Sequence, residues 1–490
     1  MAKIKTYCAT EQVPTMKMKS LRRLLLCSAS FTAVLLKVDT THSQTIIDGT
    51  WHSSFQVMGQ SMLIDLNISP SAENGNYLSD PAHSEQHMDL SSFSFEGDSL
   101  LFRWAKGNLD YAGRYSVAGD SISGTMKQSG LSWPVTFKRE MQQLIVAVRP
   151  QKPVAPFPYS SQEVSYFNTE DSTQVFATLT YPAEPTGDYP VVIFASGSGP
   201  QDRNCTLLGH EPFLLLADQF ARNGIATLRF DDRGTGQSKA NYFKASLTDF
   251  GNDVASGIAF LQTRPELADH PLGLLGHSEG GMHILLAQQQ FPKQVDFMIF
   301  LSCIGITGKE VLIQQQYDIP LRSGGGEQVA AWNRSVYEGL TAIVLKQKDP
   351  VKAGEKIGVF LRSQYKKAPE GALEGMNETQ YVMANSYMLN NDWGRQFLVF
   401  DAGAYLKKYK GPGLALFGEK DLQVDAATNL AGFKKALAMN PAFQYIIYPG
   451  INHLMQTCAS CTISEYGDLT ETIAPGVIDT VITYIKDCKR

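Results

Sequence analysis

Beyond residue 160 the chain repeatedly sets a short, almost wholly apolar run before an amphipathic stretch. The runs are VVIFAS (191–196), IATLRF (225–230), LGLLGH from Leu272, VDFMIFLSC (295–303), then GLALFGEKD and FQYIIYPG. No other feature constrains the fold as much. A strand apolar on both faces must be covered on both, and strands separated by helices run parallel. The expected architecture is therefore α/β, a mostly parallel sheet between helical layers. Pro212 near one helix start and Gly224 just past its end suit the usual places of those residues. Between Cys303 and about Tyr409 roughly a hundred residues read as helix without a strand. Such an insertion late in an α/β sheet is expected to cap a cleft at the strands' C-terminal ends, over about 304–408.

Upstream the periodicity is two. Met62, Ile64, Leu66 and Ile68 share one face, as do Leu100, Phe102 and Trp104, and again Trp133, Val135 and Phe137. With turn signals between them, residues 44–148 read as a small antiparallel β domain, half buried on one face. RPQKPVAPFPY follows with four prolines, so 149–160 is expected to be a stiff linker and 161–490 the α/β domain.

Residues 1–43 read as a targeting segment. Lys17, Lys19, Arg22 and Arg23 precede an apolar run over 24–36, shorter than the roughly 20 residues a span needs. Export to the periplasm or beyond, with cleavage near Ser43 or Gln44, is expected; Met16 or Met18 would serve equally as the start. Cys27 lacks the small residues that usually precede a lipidated cysteine. A net charge of −5 without a basic run in the body of the chain gives no support for nucleic-acid binding. Beyond the leader five cysteines remain, too few for a disulfide scaffold. Cys458 and Cys461 form one CxxC, a loop feature or a local disulfide; no further metal ligands at suitable spacing accompany it.

The chemistry gathers at Gly276-His277-Ser278-Glu279-Gly280, a G-x-S-x-G between a strand and a helix. The glycines permit a turn so sharp that the serine Oγ stands clear of the sheet as a nucleophile. A serine needs a base, and the base an orienting carboxylate, in the chain order Ser, acid, His. Only two histidines follow Ser278. His283 lies in the helix that the serine opens, too local to reach back, whereas His453 follows the strand FQYIIY. Of three acids after LALFG, Asp421 occupies the expected place; Glu419 reads as a solvated turn residue and Asp425 as a helix cap. The expected oxyanion donors are the N–H groups of Glu279 and Ser198, with Gly199 the alternative to Ser198. Asp202, Arg203 and Asp231-Asp232-Arg233 are expected to brace the site as one buried ionic lattice. The Glu279 side chain would pair with one of those arginines or meet a substrate amine.

GSGPQDRN, RFDDRGTGQS, GHSEGG, FGEKDLQV and PGINHLMQ together resemble the α/β-hydrolase superfamily, and more narrowly the EstD-type bacterial carboxylesterases with an N-terminal β domain and a helical cap. The resemblance implies hydrolysis of short-chain carboxylic esters through an acyl-enzyme, with Ser278, Asp421 and His453 at the triad positions. It implies a small-molecule ester as partner and neither cofactor nor metal, and it leaves self-association open. The same machinery cleaves amides and thioesters, so an aminopeptidase is the alternative, and a glycan-directed acetyl esterase is a third reading.

Overall fold

The computed structural model describes residues 47–57, 60–69, 75–80, 83–128, 131–139, 149–185, 187–373, 375–386 and 389–488. The expected targeting segment and its cleavage site lie outside them. Among the described residues no helix is long and apolar enough to cross a membrane.

Among the described residues the first part is an antiparallel sheet of nine strands: β1 (Gly49–Val57), β2 (Gln60–Ile68), β3 (Tyr77–Asp80), β4 (His83–Asp89), β5 (Ser92–Glu96), β6 (Ser99–Trp104), β7 (Leu109–Ser116), β8 (Ser121–Gln128) and β9 (Leu131–Lys138). Their order is β4-β3-β2-β1-β9-β8-β7-β6-β5. Ile64, Leu66, Ile68, Leu100, Phe102, Val135 and Phe137 are buried, whereas Leu101 between two of them is exposed. That alternation is the period-two pattern made physical, one face inward and one toward water.

The second part has eight strands: β10 (Ser161–Phe167), β11 (Gln174–Thr180), β12 (Val191–Ala195), β13 (Ala226–Phe230), β14 (Leu272–His277), β15 (Phe297–Leu301), β16 (Gly413–Gly418) and β17 (Phe443–Tyr448). The order is β10-β11-β13-β12-β14-β15-β16-β17. From β13 to β17 every neighbouring pair is parallel. β10 and β11, absent from the apolar runs that mark the other strands, add an antiparallel edge.

Helices α1 (Pro212–Arg222), α2 (Leu247–Gln262) and α3 (Gly280–Gln290) alternate with the strands. After β15 come α4 (Gly308–Pro320), α5 (Gly326–Lys346), α6 (Pro350–Tyr365), α7 (Glu378–Ser386), α8 (Asp392–Val399) and α9 (Ala402–Leu406); α10 (Ala426–Ala436) and α11 (Pro475–Asp487) follow. Alternate strand residues enter two separate cores. Ile193, Leu274, Phe300 and Phe417 join side chains of α2, α3 and α10. Phe194, Leu275, Ile299 and Leu416 join α1 and α11. Burial on both faces explains why these strands read as unbroken apolar runs.

Residues 149–159 are not a free spacer. Arg149 donates to the carbonyls of Leu208, Gly467 and Leu469. Gln151 donates to the Ile473 carbonyl at 2.7 Å and accepts from the Thr472 N–H at 2.5 Å. Tyr159 donates to Asp218 at 2.9 Å. The segment runs through turns and bends while its polar side chains tie it down.

Candidate active site

The turn between β14 and α3 is built on close backbone approach. A Cβ on Gly280 would stand 2.2 Å from the Ala195 carbonyl oxygen, and one on Gly276 would stand 2.6 Å from the Gly280 backbone. Neither space can be made without moving the chain. Gly280→Ala is therefore expected to destabilise by at least about 2 kcal/mol, as overpacking against rigid backbone does. Chemical denaturation would measure it, and an unchanged midpoint would contradict the assignment. Ser278 itself has φ +55°, a left-handed conformation that a non-glycine residue adopts only when its surroundings enforce it. Its N–H donates to the Leu301 carbonyl on β15 at 3.0 Å, which fixes the serine at the C-terminal end of β14.

His453 and Asp421 meet there. His453 Nδ1 lies 2.8 Å from Asp421 Oδ2, and both residues are buried. Asp421 Oδ1 accepts from the N–H groups of Gln423 and Val424, each at 2.8 Å. Both carboxylate oxygens are thus engaged, and the imidazole must carry its proton on Nδ1, leaving Nε2 free to accept. Ser278 and His453 line one cavity of about 370 Å³, although no direct hydrogen bond joins them among the described residues. Contacts of this kind commonly tighten when substrate arrives. The loop carrying His453 is held from two sides. His277 Nε2 donates to the His453 carbonyl at 3.0 Å. Asn452 Oδ1 accepts from the Leu454 and Gln456 N–H groups, and the Asn452 amide donates to the Gln456 side chain. Glu419 is exposed, and Asp425 caps α10 by accepting from the Thr428 N–H.

The loop after β12 is anchored at nearly every second residue. Ser196 Oγ donates to Asp232 at 2.8 Å, and the Gln201 N–H to the same carboxylate at 3.0 Å. Ser198 Oγ donates to Glu279 Oε2 at 2.6 Å. The Gly199 N–H donates to the Tyr242 hydroxyl at 2.8 Å, so Gly199, the alternative donor, is already engaged. A Cβ on Gly197 would stand 3.1 Å from Ser278 Cβ, which sets this loop directly against the serine.

Two expectations need correction. The single ionic lattice is two separate clusters. Arg203 pairs with Asp231 and Glu163, and Arg233 with Asp253 and Asp171. Asp232 joins neither arginine, and burial pushes its carboxyl well above the usual range. Asp202 serves its own loop, accepting from the Asn204 and Thr206 N–H groups. Nor does Glu279 pair with an arginine, because closer carboxylates hold both. It accepts from Ser198 Oγ, from Trp393 Nε1 at 2.7 Å, and faces His283 Nε2 at 3.2 Å. Burial alone would raise the Glu279 carboxyl, but the bonds from His283, Ser198 and Trp393 hold it below its ordinary value.

His210, which no motif marks, also lies at the site. Its ring is buried, with Nδ1 2.9 Å from Thr472 Oγ1 and Nε2 3.0 Å from the Tyr466 carbonyl, on the wall of the same cavity. Burial first, and the charge of Arg149 second, push its pKa down to about 4. The folded chain thus binds this proton more weakly than the unfolded chain does. The stabilisation is complete above the unfolded value near 6.5 and is lost as pH falls toward 4. Unfolding free energy should drop over that window, with up to about 2 kcal/mol of the drop absent in His210→Gln. Urea titrations at pH 7, 5.5 and 4.5 would measure it, and identical pH profiles for the two proteins would contradict it.

Cys458, Cys461 and Glu465 lie within 4.8 Å of one another, a spacing that suits a metal. The two thiols are joined as a disulfide, and the carboxylate accepts from the N–H groups of Ala459, Ser460 and Cys461. The group is a fastened loop and presents no open ligand set.

Among known proteins, a hydrolase family model described as "Serine aminopeptidase, S33" matches residues 212–317. The Pyrococcus furiosus esterase Pf2001 is 16% identical, with 69% of this chain and 97% of that chain covered at a TM-score of 0.38. The esterase RhEst1 from Rhodococcus sp. ECU1013 is 19% identical, with 67% and 99% covered at 0.37. A thermophilic esterase from Thermogutta terrifontis is 14% identical, with 67% and 100% covered at 0.37. No curated protein matches the chain. Likenesses this distant transfer neither activity nor substrate.

Proposed function

We propose that the chain is an exported serine hydrolase of the α/β-hydrolase type that cleaves small, uncharged carboxylic esters. The observation that carries this reading is the cavity shared by Ser278 and the Asp421-bonded His453. In the reaction, Ser278 Oγ attacks the ester carbonyl carbon as His453 Nε2 takes its proton. The carbonyl oxygen becomes an oxyanion, met by the N–H groups of Ser198 and Glu279. Collapse breaks the bond to the alcohol oxygen, which receives the proton from His453. Water then attacks the acyl-enzyme with the same histidine as base, and the acid departs as Ser278 regains its proton. Asp421 holds the imidazole tautomer and stabilises the imidazolium.

The cavity wall favours esters over peptides. Under the helices between β15 and β16, which act as the cap, Ile304, Leu312, Leu389, Trp393 and Phe397 face it; its polar side chains besides Ser278 and His453 are glutamines, hydroxyls and the imidazoles of His210 and His277. Among its described lining residues there is no Asp, Glu, Lys or Arg. An aminopeptidase, the reading that the matched family model favours, needs a carboxylate to meet the substrate's ammonium group. Glu279, the carboxylate nearest the nucleophile in sequence, is already engaged by three side chains. Turnover of p-nitrophenyl acetate and butyrate is expected to exceed that of aminoacyl-p-nitroanilides by at least about 100-fold in kcat/KM, roughly the 3 kcal/mol or so of a buried charge left unpaired. Equal or faster anilide cleavage would select the peptidase.

A further inference from the structure

We infer that the side chain of Glu279 is a positioning residue that sets the spacing of the two oxyanion donors and ties it to the seat of the cap. The inference rests on the serine-hydrolase reading. One donor N–H belongs to Ser198 and the other to Glu279 itself. The Ser198 hydroxyl bonds to Glu279 Oε2 at 2.6 Å, so a side-chain link joins the two residues whose backbones meet the oxyanion. Oε1 takes the Trp393 indole N–H at 2.7 Å. Trp393 stands on α8, 114 residues away, and its ring lines the cavity. A single carboxylate therefore bridges the loop after β12, the turn after β14 and a helix that lines the cavity.

Glu279 is 1% exposed and has no Lys or Arg partner among the described residues. A buried carboxylate without a strong cation is unfavourable unless its oxygens are fully bonded, and an apolar residue would fill the same space at less cost. Geometry supplies the reason for keeping it. Oε2 bonds the residue that carries one donor, the Glu279 backbone carries the other, and Oε1 ties the pair to Trp393; oxyanion donors act only when already in place. His283, one turn along α3, completes the set at 3.2 Å and holds the carboxylate in its rotamer.

The test separates positioning from mere support. Ser198→Ala keeps the backbone N–H and removes only the link. It is expected to lower kcat for p-nitrophenyl butyrate about 10- to 100-fold, less than outright loss of a donor, with KM within about twofold. Ser198→Thr, which can make the same bond, should recover most of the rate. Trp393→Phe should lower kcat by a smaller factor. In the Ser198→Ala/Glu279→Leu double variant the Ser198→Ala loss should not multiply onto that of Glu279→Leu, because each change alone already removes the Ser198–Glu279 bond. Unchanged kcat in Ser198→Ala, a rise in KM alone, or multiplicative losses would overturn the inference. Fluorophosphonate labelling of the wild type distinguishes the two levels. A labelled Ser278 with unaffected variants sinks only the positioning role, whereas no labelling sinks it together with the hydrolase reading.

Discussion

Ser278→Ala is expected to lower kcat toward p-nitrophenyl esters by on the order of 10⁵- to 10⁶-fold and to abolish fluorophosphonate labelling. The size follows from what is lost. Without Oγ no acyl-enzyme forms, and only binding and the oxyanion donors remain to assist water. Stability should change little, because Ser278 Oγ bonds to no other side chain among the described residues. Alanine keeps the backbone N–H that donates to Leu301. Labelling and turnover that persist in this variant would place the nucleophile elsewhere.

Asp421→Asn should cost about 10⁴-fold in kcat while the fold stays intact. Asp421 Oδ1 accepts from two backbone N–H groups, so an asparagine must turn its carbonyl oxygen toward Gln423 and Val424. Its NH₂ then faces His453 Nδ1. A donor in that place forces the imidazole to carry its proton on Nε2, where it cannot accept from Ser278. The variant should retain its thermal midpoint within a few degrees and bind substrate with a similar KM. A kcat within tenfold of wild type would show that Asp421 does not orient the base.

The parts of this design that could be read from the chain are those with a local signature. Strands such as Ile299 to Leu301, buried on both faces, leave an apolar run that nothing else explains. The glycines around Ser278 are demanded by backbone contacts within a few residues and across one strand. Asp421 and His453 each follow a strand end, and their order along the chain narrowed the choice. β10 was invisible because SQEVSYF sits at the sheet edge with its first three residues exposed, which breaks any apolar pattern. The partners of Glu279 were hidden for another reason. Arg233 is held by Asp253, 20 residues downstream on α2, and Trp393 reaches the site from a helix far along the chain. Proximity of opposite charges in one motif gave no hint that each arginine had a nearer carboxylate in space. His210 carried no motif at all; it acts through Thr472 and Tyr466, more than 250 residues away.

The proline-rich segment has a practical consequence for anyone dissecting the molecule. A fragment begun at Ser161 would discard Arg149 and Gln151, whose bonds clasp 467–473, the stretch that carries Thr472 and Ile473 on the cavity wall. The dividing line for expressing the second part alone therefore falls ahead of Arg149, and a clone trimmed at the first strand of the second sheet would be born with a loosened cavity wall.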